Sequence, residues 1–284
     1  MKLNKRMKPP FAYWGGKHYA LSRIAYYLPQ PGPRFETLVS PFCGGGSLEL
    51  NAALNGYRVR AADMFEPVIT FWKVLTGDPQ IVYYMQDIIK ETDPQTKRDW
   101  LAMREAYWSE RDIATRAAYF YNINNHSFSG LTFQDNSYCA PSRHALAATH
   151  LIKYNQALRG RINFALADYT ETLRRNHAPR RSVIYADPPY ADLHEKRYGK
   201  KRGGTFNHAR LKSFLDRHEY WLLSYGDTAP IRELYAGYHM VRPRYKWTSG
   251  RHEKTGGKLK PAEDLLIFSD ALADMIPSIA PARL

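Results

Sequence analysis

Between residues 35 and 63 the chain reads strand, glycine turn, helix, strand, acid, and few folds accept that order. "FETLVSPF" (35–42) is an apolar run of strand length, closed by "CGGGS". "SLELNAALNG" then sets Leu48, Leu50, Ala53 and Leu54 on one helical face and ends at Gly56. "YRVRAADM" (57–64) predicts a second strand ending at Asp63. A strand that turns through glycines into a helix and returns as a strand opens a nucleotide-binding α/β unit.

The glycines limit the ligand. Gly44, Gly45 and Gly46 let a backbone come close to a bound group or adopt positive φ. No Gly-Lys-Ser/Thr follows, so this is not a phosphate-cradling P-loop. Asp63, 17 residues past Gly46, stands where an acid accepts hydrogen bonds from ribose hydroxyls. Each part alone also has a plain structural reading, a tight turn and a helix-capping aspartate. Together they point to an adenosine-containing cofactor with little need for phosphate contacts, as S-adenosylmethionine is. Asp168, closing "FALAD", is a further strand-end acid, either facing the cofactor's adenine amine or simply sitting in a turn.

Later strands are predicted in "RINFALAD", "RSVIYADPPY", "YWLLSYGD", "HMVRPRYKW" and "EDLLIFSD". Between the two sets, the segments "VITFWKVL", "IVYYMQDIIKE", "KRDWLAMREAYWSE" and "RDIATRAAYFYNI" predict helices, followed by the irregular "NNHSFSGLTFQDNSYCAPSRH". The reading is an α/β core, 1–66 with 160–284, interrupted by a mostly helical insertion at 67–159.

One stretch carries chemistry of its own. In "YADPPYAD" (185–192) a strand ends on Asp187 and cannot continue, because Pro188 and Pro189 lack N–H donors and fix φ. The carboxylate of Asp187 and the carbonyl of Pro188 are both acceptors, suited to the two N–H bonds of an exocyclic amine such as adenine N6. Held beyond the ring plane, they favour a pyramidal nitrogen with a free lone pair and stabilise the charge that develops there. Tyr190 offers a flat face for the base, which must leave the duplex to reach such a site. A Pro-Pro turn by itself is as readily structural as catalytic; after a glycine-rich nucleotide unit the catalytic reading gains.

Charge names the class of partner. The 284 residues include 41 Lys and Arg against 27 Asp and Glu, a net +14 that favours a polyanion. Residues 194–204 carry five basic side chains to one acid, and 242–260 carry seven to one. Both read as exposed loops suited to phosphates, or as solvated faces. Cys43 and Cys139 form no disulfide framework or zinc spacing, and the histidines show no ligand spacing, so no metal is expected. No apolar run of membrane-spanning length and no secretory h-region occur, so the expected setting is cytoplasmic, without a membrane.

With these motifs assembled, the chain resembles the Dam-like, N6-adenine-specific DNA methyltransferases. "PFAYWGGK" looks like their N-terminal aromatic–Gly-Gly-Lys motif, "PFCGGGS" their cofactor loop, "AADMFEPVI" the ribose-holding segment, "DPPY" the catalytic motif and "GGKLKPAEDLLIF" the last hairpin and strand. The resemblance implies a Rossmann-like S-adenosylmethionine-dependent methyltransferase core, a mixed, mostly parallel sheet flanked by helices, with a target-recognition insertion. It implies catalysis by Asp187, Pro188, Pro189 and Tyr190. It implies cofactor contacts from Tyr13 or Trp14, Lys17, Phe42, Gly44, Gly46, Asp63, Asp168 and Asp187. Double-stranded DNA is the implied partner, read by residues 122–143 (Asn124, Asn125, His126, Ser127, Arg143) and by the 246–258 hairpin (Arg251, Lys254, Lys258). Lys196, Arg197, Lys200, Lys201 and Arg202 would hold phosphates. A cognate restriction endonuclease is a candidate second partner, and the expected state is a monomer or weak dimer.

Two departures stand out. Where many relatives carry an acid before Pro-Phe of the cofactor loop, this chain has Ser40, which bears on how the cofactor's methionine amine is held. "QDNSYCAPSRH" replaces the segment that follows in GATC-methylating relatives, so no GATC preference carries over. The competing readings are an RNA or cytosine-N4 amino methyltransferase and an inactive DNA-binding homologue.

Overall fold

A computed structural model describes residues 1–134, 137–139, 150–175, 181–190, 206–243 and 264–276. Its centre is a seven-stranded sheet in the order β3-β2-β1-β4-β5-β7-β6. The strands are β1 (Thr37–Ser40), β2 (Arg58–Asp63), β3 (Ile162–Leu166), β4 (Ser182–Ala186), β5 (Trp221–Gly226), β6 (His239–Val241) and β7 (Asp264–Phe268). Pairings from β3 through β5 are parallel, and β7 runs antiparallel to both β5 and β6.

The strands sort their side chains by period two. Leu38, Val59, Ala61, Phe164, Tyr185, Leu222 and Leu266 face one apolar layer, while Val39, Ile184, Ala186, Leu223, Tyr225 and Ile267 face the other. Both faces are covered, which explains why "SVIYA", "WLLSYG" and "DLLIF" read as near-continuous apolar runs. A mixed sheet flanked by helices on both faces is the Rossmann-like methyltransferase architecture expected from the sequence.

On the first face lie α1 (Leu21–Tyr26), α2 (Ser47–Leu54) and α3 (Glu66–Leu75), with α4 (Pro79–Glu91), α5 (Lys97–Ser109) and α6 (Ile113–Asn125) stacked outside them and α7 (Leu151–Leu158) closing the group. The boundaries have local causes. Asp78 caps α4 with proline at its first position, Thr96 and Asp99 form a reciprocal capping box on α5, and Asp112 caps α6. α3 joins sheet to helices: its Trp72 stacks on Phe164 of β3 at 5.2 Å, and its Phe71 stacks on Tyr121 of α6 at 5.7 Å. The second face is covered by α8 (Tyr169–Arg175), α9 (His208–Leu215) and α10 (Ala229–Leu234). A short α11 (Asp270–Ala273) follows β7.

The chain leaves β1 toward β2 and β3 on one side and returns to β4 on the other. This reversal opens a crevice at the carboxyl ends of β1 and β4, the usual ligand site of such sheets.

Candidate active site

That crevice collects the residues singled out by the sequence. The glycine loop leaves β1, Asp63 ends β2, Asp187 follows β4, and Asp264 begins the antiparallel β7 at the same edge, opposite Gly226 of β5.

The glycine loop is shaped around Tyr13. A Cβ on Gly44 would lie 2.5 Å from Tyr13 Cε1, and one on Gly45 would lie 2.5 Å from Tyr13 Cβ. Only bare backbone lets that ring rest on the loop. Of the two aromatics in "AYWGGK", Tyr13 is therefore the one laid across the loop. Asp63 ties the loop from the other side, accepting from Gly44 N at 2.9 Å and Phe65 N at 2.8 Å. Burial raises its pKa, and the backbone amides of Phe65 and Gly44 oppose that rise. Trp72 adds a third tie, its indole donating to Gly44 O at 3.0 Å.

Asp187 meets the N-terminal motif directly. Lys17, only 6% exposed, sets its Nζ 2.8 Å from Asp187 Oδ1, donates to Gly15 O, and lies 4.9 Å from the centre of the Tyr190 ring. Tyr190 is fixed at its far end by a 3.3 Å hydrogen bond between its hydroxyl and Ser224 of β5. Burial pushes the Asp187 carboxyl up to about 6; Lys17 pulls against this and Asp264 adds to it. The arrangement is an acceptor beside an aromatic face at the mouth of a sheet, with a buried cation holding the acceptor ionised at neutral pH.

Residues 13–248 match the family model described as D12 class N6 adenine-specific DNA methyltransferase. The chain belongs to this family. It is accordingly an adenine-specific DNA methyltransferase, and its substrate is DNA. This methyltransferase is 28% identical to a DNA adenine methylase of Vibrio cholerae serotype O1, over 93% of its own chain and 97% of the relative. It is 26% identical to a DNA adenine methylase of Escherichia coli K12, over 90% and 93%. Among solved structures it aligns with a SAM-dependent methyltransferase from Agrobacterium tumefaciens at 12% identity and TM-score 0.40, covering 90% of this chain and 62% of that one.

The remaining expected site residues of the methyltransferase fall in several places. Pro188 is buried behind the turn, and Pro189 and Trp14 are half-buried. Gly46 sits at the N-cap of α2 in the left-handed region. Phe42 turns to the second face, with its ring 5.6 Å from Tyr169. Asp168 accepts from Thr170 N at 2.8 Å at the start of α8, beside the Asp63 edge. Of the residues expected to read DNA, Asn124, His126 and Ser127 face inward. Asn124 donates to Thr132 at 2.9 Å, His126 Nδ1 is 2.9 Å from Asn122 O, and Ser127 donates to Ile123 O at 2.5 Å. Their polar atoms close the end of α6 instead of lying open at the surface, while Asn125 is half-buried. Arg143, Lys196, Arg197, Lys200, Lys201, Arg202, Arg251, Lys254 and Lys258 lie outside the described residues.

Three polar residues at this edge escaped the sequence reading: Glu49, Ser224 and Asp264, all buried. Each had a signal, a polar residue inside or abutting an apolar run ("SLEL", "WLLSYG", "DLLIF"). Two apolar ones also escaped, Met64 and Leu166, exposed at 70% and 50% beside Asp63. Among the described residues no cluster of His, Cys, Asp and Glu suits a metal ion, and no helix is long and apolar enough to cross a membrane.

Proposed function

We propose that this adenine methyltransferase uses S-adenosylmethionine to methylate a base turned out of double-stranded DNA, with Asp187, Pro188, Pro189 and Tyr190 as its catalytic turn. The observation that carries the proposal is the position of that turn. Asp187 and Tyr190 stand at the crevice where strand order reverses, across from the glycine loop.

The residues at the edge fit such a donor. Each Asp63 oxygen takes one backbone amide and keeps capacity for a ribose hydroxyl. Met64 and Leu166 offer exposed apolar surface beside it for an adenine ring, with Asp168 next to them. Tyr13, Gly44 and Gly46 would form the floor, and Trp14, Lys17 and Phe42 its surroundings. When bound, the donor supplies a methyl group on a positively charged sulfur.

The protein's own groups do the rest. Asp187, kept ionised by Lys17, accepts one N6 hydrogen, and the Pro188 carbonyl accepts the other. Two acceptors on the amine draw its lone pair out of ring conjugation and stabilise the positive charge that grows on nitrogen. Tyr190, held by Ser224, stacks the base and fixes the amine against Asp187. Residues 67–159 act as the target-recognition insertion, and the basic stretches 194–204 and 242–260 bind phosphates.

The test is Asp187→Ala. The variant should bind DNA like the parent, and single-molecule sequencing of treated DNA should find no N6-methyladenine. Normal methylation by the variant, or modification confined to RNA or cytosine, would overturn the reading.

A further inference from the structure

Buried charge is concentrated at one place in this molecule. Apart from His126 and the terminal amine of Met1, the buried Lys, Arg, Asp and Glu side chains among the described residues are Lys17, Glu49 and Asp264, and all three act on Asp187. Lys17 pairs with Asp187. Glu49 is different. It lies in the first turn of α2, immediately beyond the glycine loop, and is 2% exposed. Its side-chain partner is neutral: Ser40 Oγ donates to Oε1 at 2.6 Å. The backbone amides of Glu49 and Leu48 also support it.

A buried carboxylate without a cation is costly, and burial shifts its titration toward the protonated form. Burial pushes Glu49 up to about 7, the Ser40 hydroxyl opposes this, and Asp187 adds to it. Among the described residues the titratable groups facing it are the Cys43 thiol in the loop, the Tyr185 phenol on β4 and Asp187, none of them a cation. The one buried lysine nearby is already committed to Asp187. A chain that lacks an acid at Ser40 thus returns one to the same spot from the helix, and leaves it without a counter-charge.

We propose that Glu49, seated by Ser40 at the root of the glycine loop, is the counter-charge for the cationic methyl donor. The inference rests on the S-adenosylmethionine reading above. The donor carries a sulfonium and an ammonium against one carboxylate, for a net single positive charge. S-adenosylhomocysteine keeps the ammonium but has a neutral thioether, and 5′-methylthioadenosine has neither charge. Glu49 therefore favours donor over product and is a positioning residue of the cofactor site. Its ionisation is completed by the arrival of the cation, so donor binding releases a proton.

The experiment is isothermal titration calorimetry of the full chain with these three ligands, at pH 7 in buffers of different ionisation enthalpy. The parent should release up to about 0.6 of a proton on binding S-adenosylmethionine, about half a proton from Glu49 and about a tenth from Asp187. Glu49→Gln keeps the shape and the hydrogen bond to Ser40. It should lose about 10- to 100-fold in affinity for S-adenosylmethionine, less for S-adenosylhomocysteine and at most about twofold for 5′-methylthioadenosine. It should also abolish most of the proton release. Equal losses for all three ligands, no loss for any, or no proton release by the parent would overturn the inference. The proton count needs no variant and so stands even if Glu49→Gln folds poorly. A parent that binds none of the ligands would overturn the cofactor reading as well, whereas a parent that binds them and a variant that does not discriminate would sink this inference alone.

Discussion

The carboxyl edge of the sheet and the helical layer on α3 are both buried, but they are built in opposite ways. The helical layer is held mainly by aromatic contact. Phe71, Phe120, Tyr121 and Phe11 meet ring to ring, Trp100 donates to Ile123 O, and Glu66 is shared by Tyr107 and Arg116. The edge, by contrast, gathers four acids and one lysine, and burial raises the pKa of three of those acids, Asp63, Asp187 and Glu49. One region stabilises the fold; the other holds charge in readiness for ligands at a cost to stability.

The sharpest way to break that contrast is to exchange the symptoms. Asp187→Asn should lower the methylation rate by about a thousandfold or more, since it removes the charged acceptor from the amine. Made together with Lys17→Met, so that no buried cation is left unpaired, the same change should not lower the melting temperature. Phe71→Ala should do the reverse. Truncating a fully buried ring costs about 3–5 kcal/mol, and activity should fall only as far as the folded fraction does, read by comparing denaturation with rate at low temperature. Loss of stability in the double variant, or a pure rate defect in Phe71→Ala, would erase the distinction.

The same contrast explains what could be read before the structure. The unit from Thr37 to Asp63 was legible because each signal in it is local: an apolar run, glycines at a turn, a helix ended by Gly56, an acid closing a strand. The helices of the second layer were legible from period and caps. Asp187 was legible because its Pro-Pro turn closes a strand in a chain that also carries a glycine-rich nucleotide unit. Glu49, Ser224 and Asp264 were not, because their meaning depends on neighbours distant in sequence. Ser224 meets Tyr190 only when β5 lies beside β4, and Asp264 reaches the edge only because β7 runs antiparallel. That Tyr13, not Trp14, lies across the glycine loop is likewise tertiary, set by which ring the bare backbone of Gly44 and Gly45 admits. Asn124, His126 and Ser127 turn inward for a related reason: Gly130, further along, packs its backbone against Ala12 and Tyr13 and draws the loop after α6 toward the core.

A pH series of stability sharpens the comparison further. The folded-state pKa of Glu49, about 7, lies above its ordinary value of 4.5. As pH rises from 4.5 to 7 the unfolded chain gives up this proton first, so folding must retain it and stability falls across that window. Above it the full penalty is present, on the order of 3 kcal/mol for a shift of this size. Glu49→Gln should therefore raise the melting temperature of the unliganded enzyme at pH 8 and change it little at pH 4.5. A helical-layer substitution such as Phe71→Ala should lower it about equally at both.

The smallest expected effect concerns Lys17. With Ser224 it opposes the burial of Asp187, and Lys17, in direct contact at 2.8 Å, is the larger of the two influences. In the proposed mechanism the ionised carboxylate is the active form, so the rate of the parent should decline as pH falls through about 6. Lys17→Met keeps the apolar stem over Tyr190 and removes the charge. Asp187 then loses its largest stabilising partner, its pKa rises further, and the acid limb of the rate profile moves to higher pH. At alkaline pH, where Asp187 ionises even without help, the variant should recover most of the parent's rate. A uniform loss at every pH would instead mean that Lys17 acts on a bound ligand and not through Asp187. The two outcomes separate by the shape of the curve alone, so the experiment decides whether the buried lysine belongs to the catalytic turn or to the cofactor's side of the crevice.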